Sequence, residues 1–385
     1  MVSASLDKKY NSLIDLFDKN RSVLIYTEGA FGLEARKKMA FRAKTADGIL
    51  RYAKYNIAGV IDSKCQEKKV SEVLGKKFSA LGSQKDFPIF KNIKSGWEKT
   101  GANVLLIGIA PEGGAIPQHF LNDLEWALDH GFDLINGMHE MISSFPKLKE
   151  KILKNKRLVW ETRFPVEELP IASCRVYQEI KKPIVLTVGT DAAIGKLTTT
   201  YQLAEMIKKN GYRPQIIPTG QTAIMIEGWG YCVDKCEGDF MAGAVEKMIL
   251  EKEKESHPDI YLVEGQGSLF HPAYSTTSLA LIHGACPTHL ILVHRPSRKR
   301  VTGCPLLAVP KIKTAIETYE NAVMPPFRKT RVVAIALNTF GMNDNEAKKI
   351  IAEIKEETGL PTADLIRQLP SSSAGKEDWT KLFLK

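Results

Sequence analysis

Ile184-Val185-Leu186-Thr187-Val188-Gly189-Thr190-Asp191-Ala192-Ala193-Ile194-Gly195-Lys196-Leu197-Thr198-Thr199 reads as a buried strand that runs into a glycine-bounded loop and then opens a helix. Gly189 and Gly195 let the backbone curl so that successive N–H groups point inward. A helix starting at Lys196 adds partial positive charge at the same place, and the lysine adds a full one. Strand, two glycines, lysine and helix fall in the order of a P-loop, built to hold the phosphates of a nucleotide or nucleotide-like cofactor. Two departures matter. Residues 190–194 put one residue more between the glycines than the usual G-x-x-x-x-G-K-[ST] pattern. Leu197 stands where that pattern has the Mg²⁺-binding hydroxyl, and a shift of one position to Thr198 turns the side chain by about 100° around the helix. The expected cofactor set is Gly189, Thr190, Asp191, Gly195, Lys196, Thr198 and Thr199, joined by Asn338 at the end of a later strand.

Working outward, apolar runs alternate with helical stretches along the whole chain, the mark of parallel sheets with crossover helices. In the first half, strands are expected at 22–27, 55–61, 104–110 and 132–135, with a basic helix at about 33–45 and a helical segment at 120–130. Gly29, Gly32 and Asp62 imitate a dinucleotide fingerprint, but the G-x-G-x-x-G spacing is not met. Pro165 and Pro170 interrupt the pattern, and a fresh strand–helix series begins after Pro183. It predicts strands at 184–188, 214–217, 260–263, 290–293, 332–337 and 362–366, and helices at 196–209, 240–255 and 345–357. Asp239 reads as the N-cap of the second of these helices. The chain is therefore α/β, with domains expected at 1–175 and 176–385.

The chain has 385 residues, of which 44% are apolar, so it can bury sizeable cores. No apolar run reaches the roughly 18–20 residues of a membrane helix, and residues 1–17 lack an apolar signal core. A cytoplasmic protein without a membrane partner is expected. Lys and Arg outnumber Asp and Glu by 54 to 44, for a formal charge of +10, but the charges are scattered and no RNA- or DNA-binding motif accompanies them. Anionic small molecules fit better than nucleic acid. The six cysteines include the pair Cys232 and Cys236, yet no second pair completes a zinc site, so no metal centre is expected.

The second chemical element is Asp259-Ile260-Tyr261-Leu262-Val263-Glu264-Gly265-Gln266-Gly267-Ser268, a strand that delivers an acid to its carboxyl end among glycines. This is the layout of a Walker B site, and the alternative is a strand-end turn with an exposed Glu. Glu264 is the first candidate for a general base and His271 the second. His283, His289 and His294 also lie near strand ends. Arg295, Arg298 and Arg300 follow a strand and offer forks for carboxylates, with phosphate contact or a solvated loop as alternatives. Arg295, Thr219 and Gln221 are the candidates for holding a substrate.

GTDAAIGK with LVEGQGSL and Asn338 resembles dethiobiotin synthetase and its P-loop relatives. The whole order, GTDAAIGKLTT, PTGQT, VEGQGSL, HRP and ALNT, is more similar to a family long known as a domain of unknown function. That resemblance implies a Rossmann-like N-terminal domain followed by a P-loop NTPase-type α/β domain with a mainly parallel sheet. It also implies D-glutamate N-acetyltransferase activity with acetyl-CoA as donor. Coenzyme A carries a 3′-phospho-ADP moiety, which suits a phosphate cradle lacking the metal-binding hydroxyl. The expected partner is then an acidic amino acid, and a homo-oligomer is expected by analogy with related P-loop enzymes. An ATP-dependent ligase or kinase using ATP and Mg²⁺ is the second reading, and a nucleotide-binding scaffold or metallochaperone the third. Asn338-Thr339-Phe340-Gly341 does not supply the N-K-x-D of a guanine site.

Overall fold

A computed structural model of the chain describes residues 21–36, 42–75, 86–323, 329–367 and 378–384. The chain divides into two compact units. The first comprises residues 1–165 together with 221–229, and the second residues 166–220 and 230–385.

The first unit is built on a six-stranded, all-parallel sheet in the order β3-β2-β1-β4-β5-β6. Its strands are β1 (Val23–Tyr26), β2 (Ile57–Ile61), β3 (Ile89–Phe90), β4 (Val104–Ile107), β5 (Asp133–Asn136) and β6 (Val159–Glu161). β1, β4 and β5 are buried along their whole length, as parallel strands covered on both faces must be. The two short strands β3 and β6 carry too few apolar residues to stand out in the sequence. The helix expected over 33–45 is not continuous. One helical turn covers Leu33–Arg36 and a separate helix, α1, covers Lys44–Tyr52, while 37–41 lie outside the described residues. A second helix, α2, runs from Phe120 to Asp129.

The second unit carries another six-stranded parallel sheet in the order β14-β13-β10-β7-β9-β8. The strands are β7 (Ile184–Gly189), β8 (Pro214–Ile217), β9 (Ile260–Val263), β10 (His289–His294), β13 (Arg331–Leu337) and β14 (Thr362–Ala363). An antiparallel hairpin, β11 (Arg300–Val301) and β12 (Cys304–Ala308), projects between β10 and β13 in the chain. The helices used below are α3 (Lys196–Lys209), α4 (Gln221–Glu227), α5 (Met241–Ser256), α6 (Ile312–Val323) and α7 (Asp344–Thr358). No side chain caps α5, whose N-cap position is Phe240, so Asp239 does not act as the expected cap. Among the described residues no helix is long and apolar enough to cross a membrane.

α4 was not foreseen. Although it follows Gly220 in the chain, it belongs to the first unit and packs on α1. Thr222 and Thr45 share a buried hydroxyl–hydroxyl bond of 3.1 Å, and Gln221 accepts from Arg163 at 2.7 Å. A Cβ on Gly137 would lie 2.7 Å from the Met225 methyl, so α4 packs closely on the loop after β5.

β7 sits between β10 and β9, where chain order reverses, and its carboxyl end is the P-loop. Open α/β sheets place ligands in the crevice at such a reversal. The approach of β9 to β7 is set by Gly265: a Cβ there would lie 1.7 Å from the Thr187 carbonyl oxygen. Gly265→Ala must therefore push two central strands apart, and we expect it to cost about 1–3 kcal/mol or more. Gly238→Ala, with nothing within 4 Å of the added methyl, should change stability by no more than about 0.5 kcal/mol. Chemical denaturation of both variants checks the difference, and equal stabilities would contradict the packing.

Candidate functional site

The P-loop is held from several sides. The Gly189 carbonyl accepts hydrogen bonds from the Tyr319 hydroxyl (2.7 Å) and Ser268 Oγ (2.8 Å). Thr190 donates its amide to Val293 and pairs its hydroxyl with His294 Nδ1 at 2.9 Å. Asp191 is fully buried. Its Oδ1 accepts from the Ala192 amide, and its Oδ2 from Arg298 Nη1 (3.0 Å) and from the amide and hydroxyl of Thr302 (2.9 and 2.8 Å). The carboxylate thus ties the loop to Arg298, just ahead of the hairpin, and to Thr302 in its turn. Asn338 braces the far side, donating from Nδ2 to the Ile194 carbonyl at 2.9 Å and accepting from the Phe340 amide. Ala193 and Gly195 take positive φ, the curl that turns successive amides toward one side. Among the described residues the amides of Ala193, Ile194, Gly195, Leu197 and Thr198 donate to nothing. Lys196 is buried and folds back, its Nζ 2.9 Å from the Asp191 carbonyl. This is an anion nest at a helix N-terminus.

The hydroxyls that follow the lysine are unequal. Thr199 Oγ1 donates to the Gly195 carbonyl, and Thr200 Oγ1 donates to that of Lys196 while also contacting Thr187. Thr198 and Thr199 both line a cavity of about 230 Å³ beside the loop. Its apolar wall is Ile194, Val293, Ala336, Leu337 and Leu365, with Phe340 at its rim. A clamp fixes its far side. Both Asp364 oxygens are used, one by Thr339 and the other by the amides of Ile366 and Arg367, and Arg367 binds Thr339 Oγ1 in turn.

Glu264 ends β9 and is almost completely buried. Its Oε2 accepts from the amides of Thr219 (3.2 Å) and Gly220 (3.0 Å) and from the Thr219 hydroxyl, and Gln266 also donates to the carboxyl. Burial pushes the carboxyl up to about 7 despite those donors. The next residue, Gly265, lies against the Lys196 side chain, so the acid is adjacent to the P-loop. His271 stands differently. Its Nε2 donates to the Thr302 carbonyl at 2.8 Å and its Nδ1 accepts from the Ala273 amide, so neither nitrogen is left over. The ring braces the same segment that Asp191 holds. His294 is neutral, lowered to about 4 by burial and by Lys299.

The structure thus gathers Gly189, Thr190, Asp191, Gly195, Lys196, Thr198, Thr199, Glu264, Thr219, Asn338 and Arg295 at one end of the second sheet. Gln221 stands in the first unit. Among the described residues no group of three His, Cys, Asp or Glu side chains has metal-binding geometry. Tyr319, Thr302, Asp364 and Arg367 were not foreseen, and Arg298, expected as a fork for a ligand, instead binds Asp191; each acts on a partner 25 or more residues away in the chain, which local spacing does not reveal.

The first unit has the Rossmann strand order, yet its β1 loop is already filled. The buried Asp62 carboxylate, at the end of β2, accepts from the amides of Gly29 (2.8 Å), Ala30 (3.1 Å) and Phe31 (2.9 Å) and from those of Lys64 and Cys65. The donors that would meet a dinucleotide phosphate are occupied by the protein's own acid.

Residues 171–373 match the family model of a P-loop domain of unknown function, DUF1611_C, and residues 71–165 match that of a Rossmann-like domain, DUF1611_N. A curated relative from Tritonibacter scottomollicae, named D-glutamate N-acetyltransferase, is 35% identical over 69% of this chain and 78% of its own length. Another of the same name, from a Pseudoalteromonas species, is 31% identical over 70% of this chain and 79% of its own. The crystal structure of a DUF1611 family protein from Anabaena variabilis is 37% identical, covering 90% of this chain and 96% of that one with a TM-score of 0.78.

The raised Glu264 carboxyl carries a pH signature. The folded group keeps its proton to about pH 7, against an ordinary value of 4.5. Between these values the folded state binds more protons than the unfolded one, so stability falls as pH rises through this window and is level above it. The loss is at most about 3 kcal/mol. Glu161, also raised to about 7 by burial, adds a slope of the same sign, so the comparison must be with a variant. Glu264→Gln, relative to the parent protein, should gain melting temperature between pH 5 and pH 8. A difference independent of pH would show that Glu264 does not hold the proton.

Proposed function

The chain belongs to the DUF1611 family, and we propose that it is an N-acetyltransferase that moves the acetyl group of acetyl-CoA to the amino group of an acidic amino acid, D-glutamate first among them. One observation carries this reading. The anion nest of the P-loop is complete, while Leu197 stands in the place of the metal-binding hydroxyl and the Thr199 and Thr200 hydroxyls are bonded back into their own helix. Such a loop holds a diphosphate by amides and lysine alone.

The amides of Ala193 to Gly195, the opening amides of α3 and Lys196 would hold the diphosphate, and the cavity rimmed by Phe340 would take the adenosine end. Acetyl-CoA supplies a thioester, whose acyl carbon gains a C–N bond as its C–S bond breaks and a thiol leaves. Glu264 takes a proton from the substrate ammonium, a role suited to a carboxyl that changes charge near pH 7. Thr219 and Gly220 hold that carboxyl in place through their amides. His271, with both nitrogens engaged, supports the loop from behind. The names of the relatives support the transfer and the choice of D-glutamate.

Thiol release from acetyl-CoA, followed across D- and L-glutamate, D- and L-aspartate and neutral amino acids, tests the proposal. Acidic D-amino acids should give the highest kcat/KM. Glu264→Gln should lower kcat by about 10²–10⁴-fold, the usual cost of losing a general base. No thiol release with any amine, together with phosphate release from ATP, would replace this reading by an ATP-dependent ligase.

A further inference from the structure

Arg295 immediately follows β10, whose end lies beside the P-loop strand on one side and beside β13 on the other. Its guanidinium lies 6.0 Å from the centre of the ring of Phe340, which lines the cavity. Its Nε donates to Ser297 Oγ, and among the described residues it meets no carboxylate. The acids that could have paired with it are committed elsewhere: Asp191 to Arg298 and Thr302, and Asp364 to Thr339, Ile366 and Arg367. The neighbouring cations Arg298 and Arg367 are the ones those acids serve. Burial and the neighbouring Arg298 both work against its charge, the state of a cation that awaits an anion.

The P-loop already supplies donors for one diphosphate. A separate cation at the cavity rim serves a phosphate elsewhere on the same ligand. ATP and ADP carry phosphates only on the 5′ side of the ribose, whereas coenzyme A has a 5′-diphosphate and a further phosphate on the 3′ oxygen. We infer that Arg295 binds the ribose 3′-phosphate and thereby makes this P-loop select coenzyme A over ATP and ADP. This rests on the coenzyme A reading above and moves Arg295 from the substrate carboxylate to the cofactor. A guanidinium fork matches two phosphate oxygens at once, which a lysine cannot do.

Calorimetric titration of the full chain with coenzyme A and with 3′-dephospho-coenzyme A tests it. The parent protein should bind coenzyme A roughly tenfold or more tightly than the dephospho compound, as a charge-assisted bond to phosphate allows. Arg295→Gln should erase that gap by weakening coenzyme A alone, Arg295→Lys should narrow it, and the exposed Arg300→Gln should leave it intact. The unchanged affinity of Arg295→Gln for the dephospho compound shows that the variant is folded. Equal binding of the two compounds by the parent protein would overturn the inference while leaving the cofactor reading standing. So would an Arg295→Gln variant that weakens both alike, or one that raises only KM for the amino acid. Binding of ATP with neither coenzyme A compound would instead sink the cofactor reading and this inference with it.

Discussion

The buried carboxylate of Asp191 is the constraint on which the second unit's site depends. It lies inside the P-loop, has no exposure to water, and gathers Arg298, Thr302 and Ala192 around itself. Removing one partner of a buried pair commonly costs about 3–5 kcal/mol, because the other charge is left without compensation. The loop is therefore not free to relax into a turn that satisfies its own amides. Its carboxylate faces sideways, toward Arg298 and Thr302, and so the amides of Ala193, Ile194 and Gly195 stay available for a ligand.

The first unit shows the opposite outcome from the same ingredients. There too a parallel strand ends in a glycine-containing turn with amides aimed at one point. Asp62 occupies that point, accepting from Gly29, Ala30 and Phe31. One sheet carries an open anion nest and the other a nest closed by its own side chain. Strand order alone would assign a nucleotide to both, and the direction of one carboxylate separates them.

Much of this was readable in advance, for a physical reason. Strands of a parallel sheet are covered on both faces and appear as continuous apolar runs, so β7, β8 and β9 were placed almost residue for residue, as was α3. The glycines and Lys196 marked the loop because the chemistry needs those residue types at that spacing. What failed to show was everything set by distant partners. QTAIMIE looks like any apolar helix, and nothing in it says that it joins the first unit. His271 looks like a base until the Thr302 carbonyl and the Ala273 amide are seen to hold both nitrogens. Asn338 was foreseen at the site, but its amide is spent on Ile194 and Phe340, which makes it a brace.

The central claim is that an amide nest and a lysine, without a metal, hold the cofactor's diphosphate. Its most direct test is calorimetric titration of coenzyme A in EDTA and again in millimolar Mg²⁺. The account predicts the same affinity in both, because Leu197 leaves no hydroxyl at the metal position and the Thr199 and Thr200 hydroxyls are bonded back to the Gly195 and Lys196 carbonyls. Binding that vanishes in EDTA and returns with Mg²⁺ would contradict it.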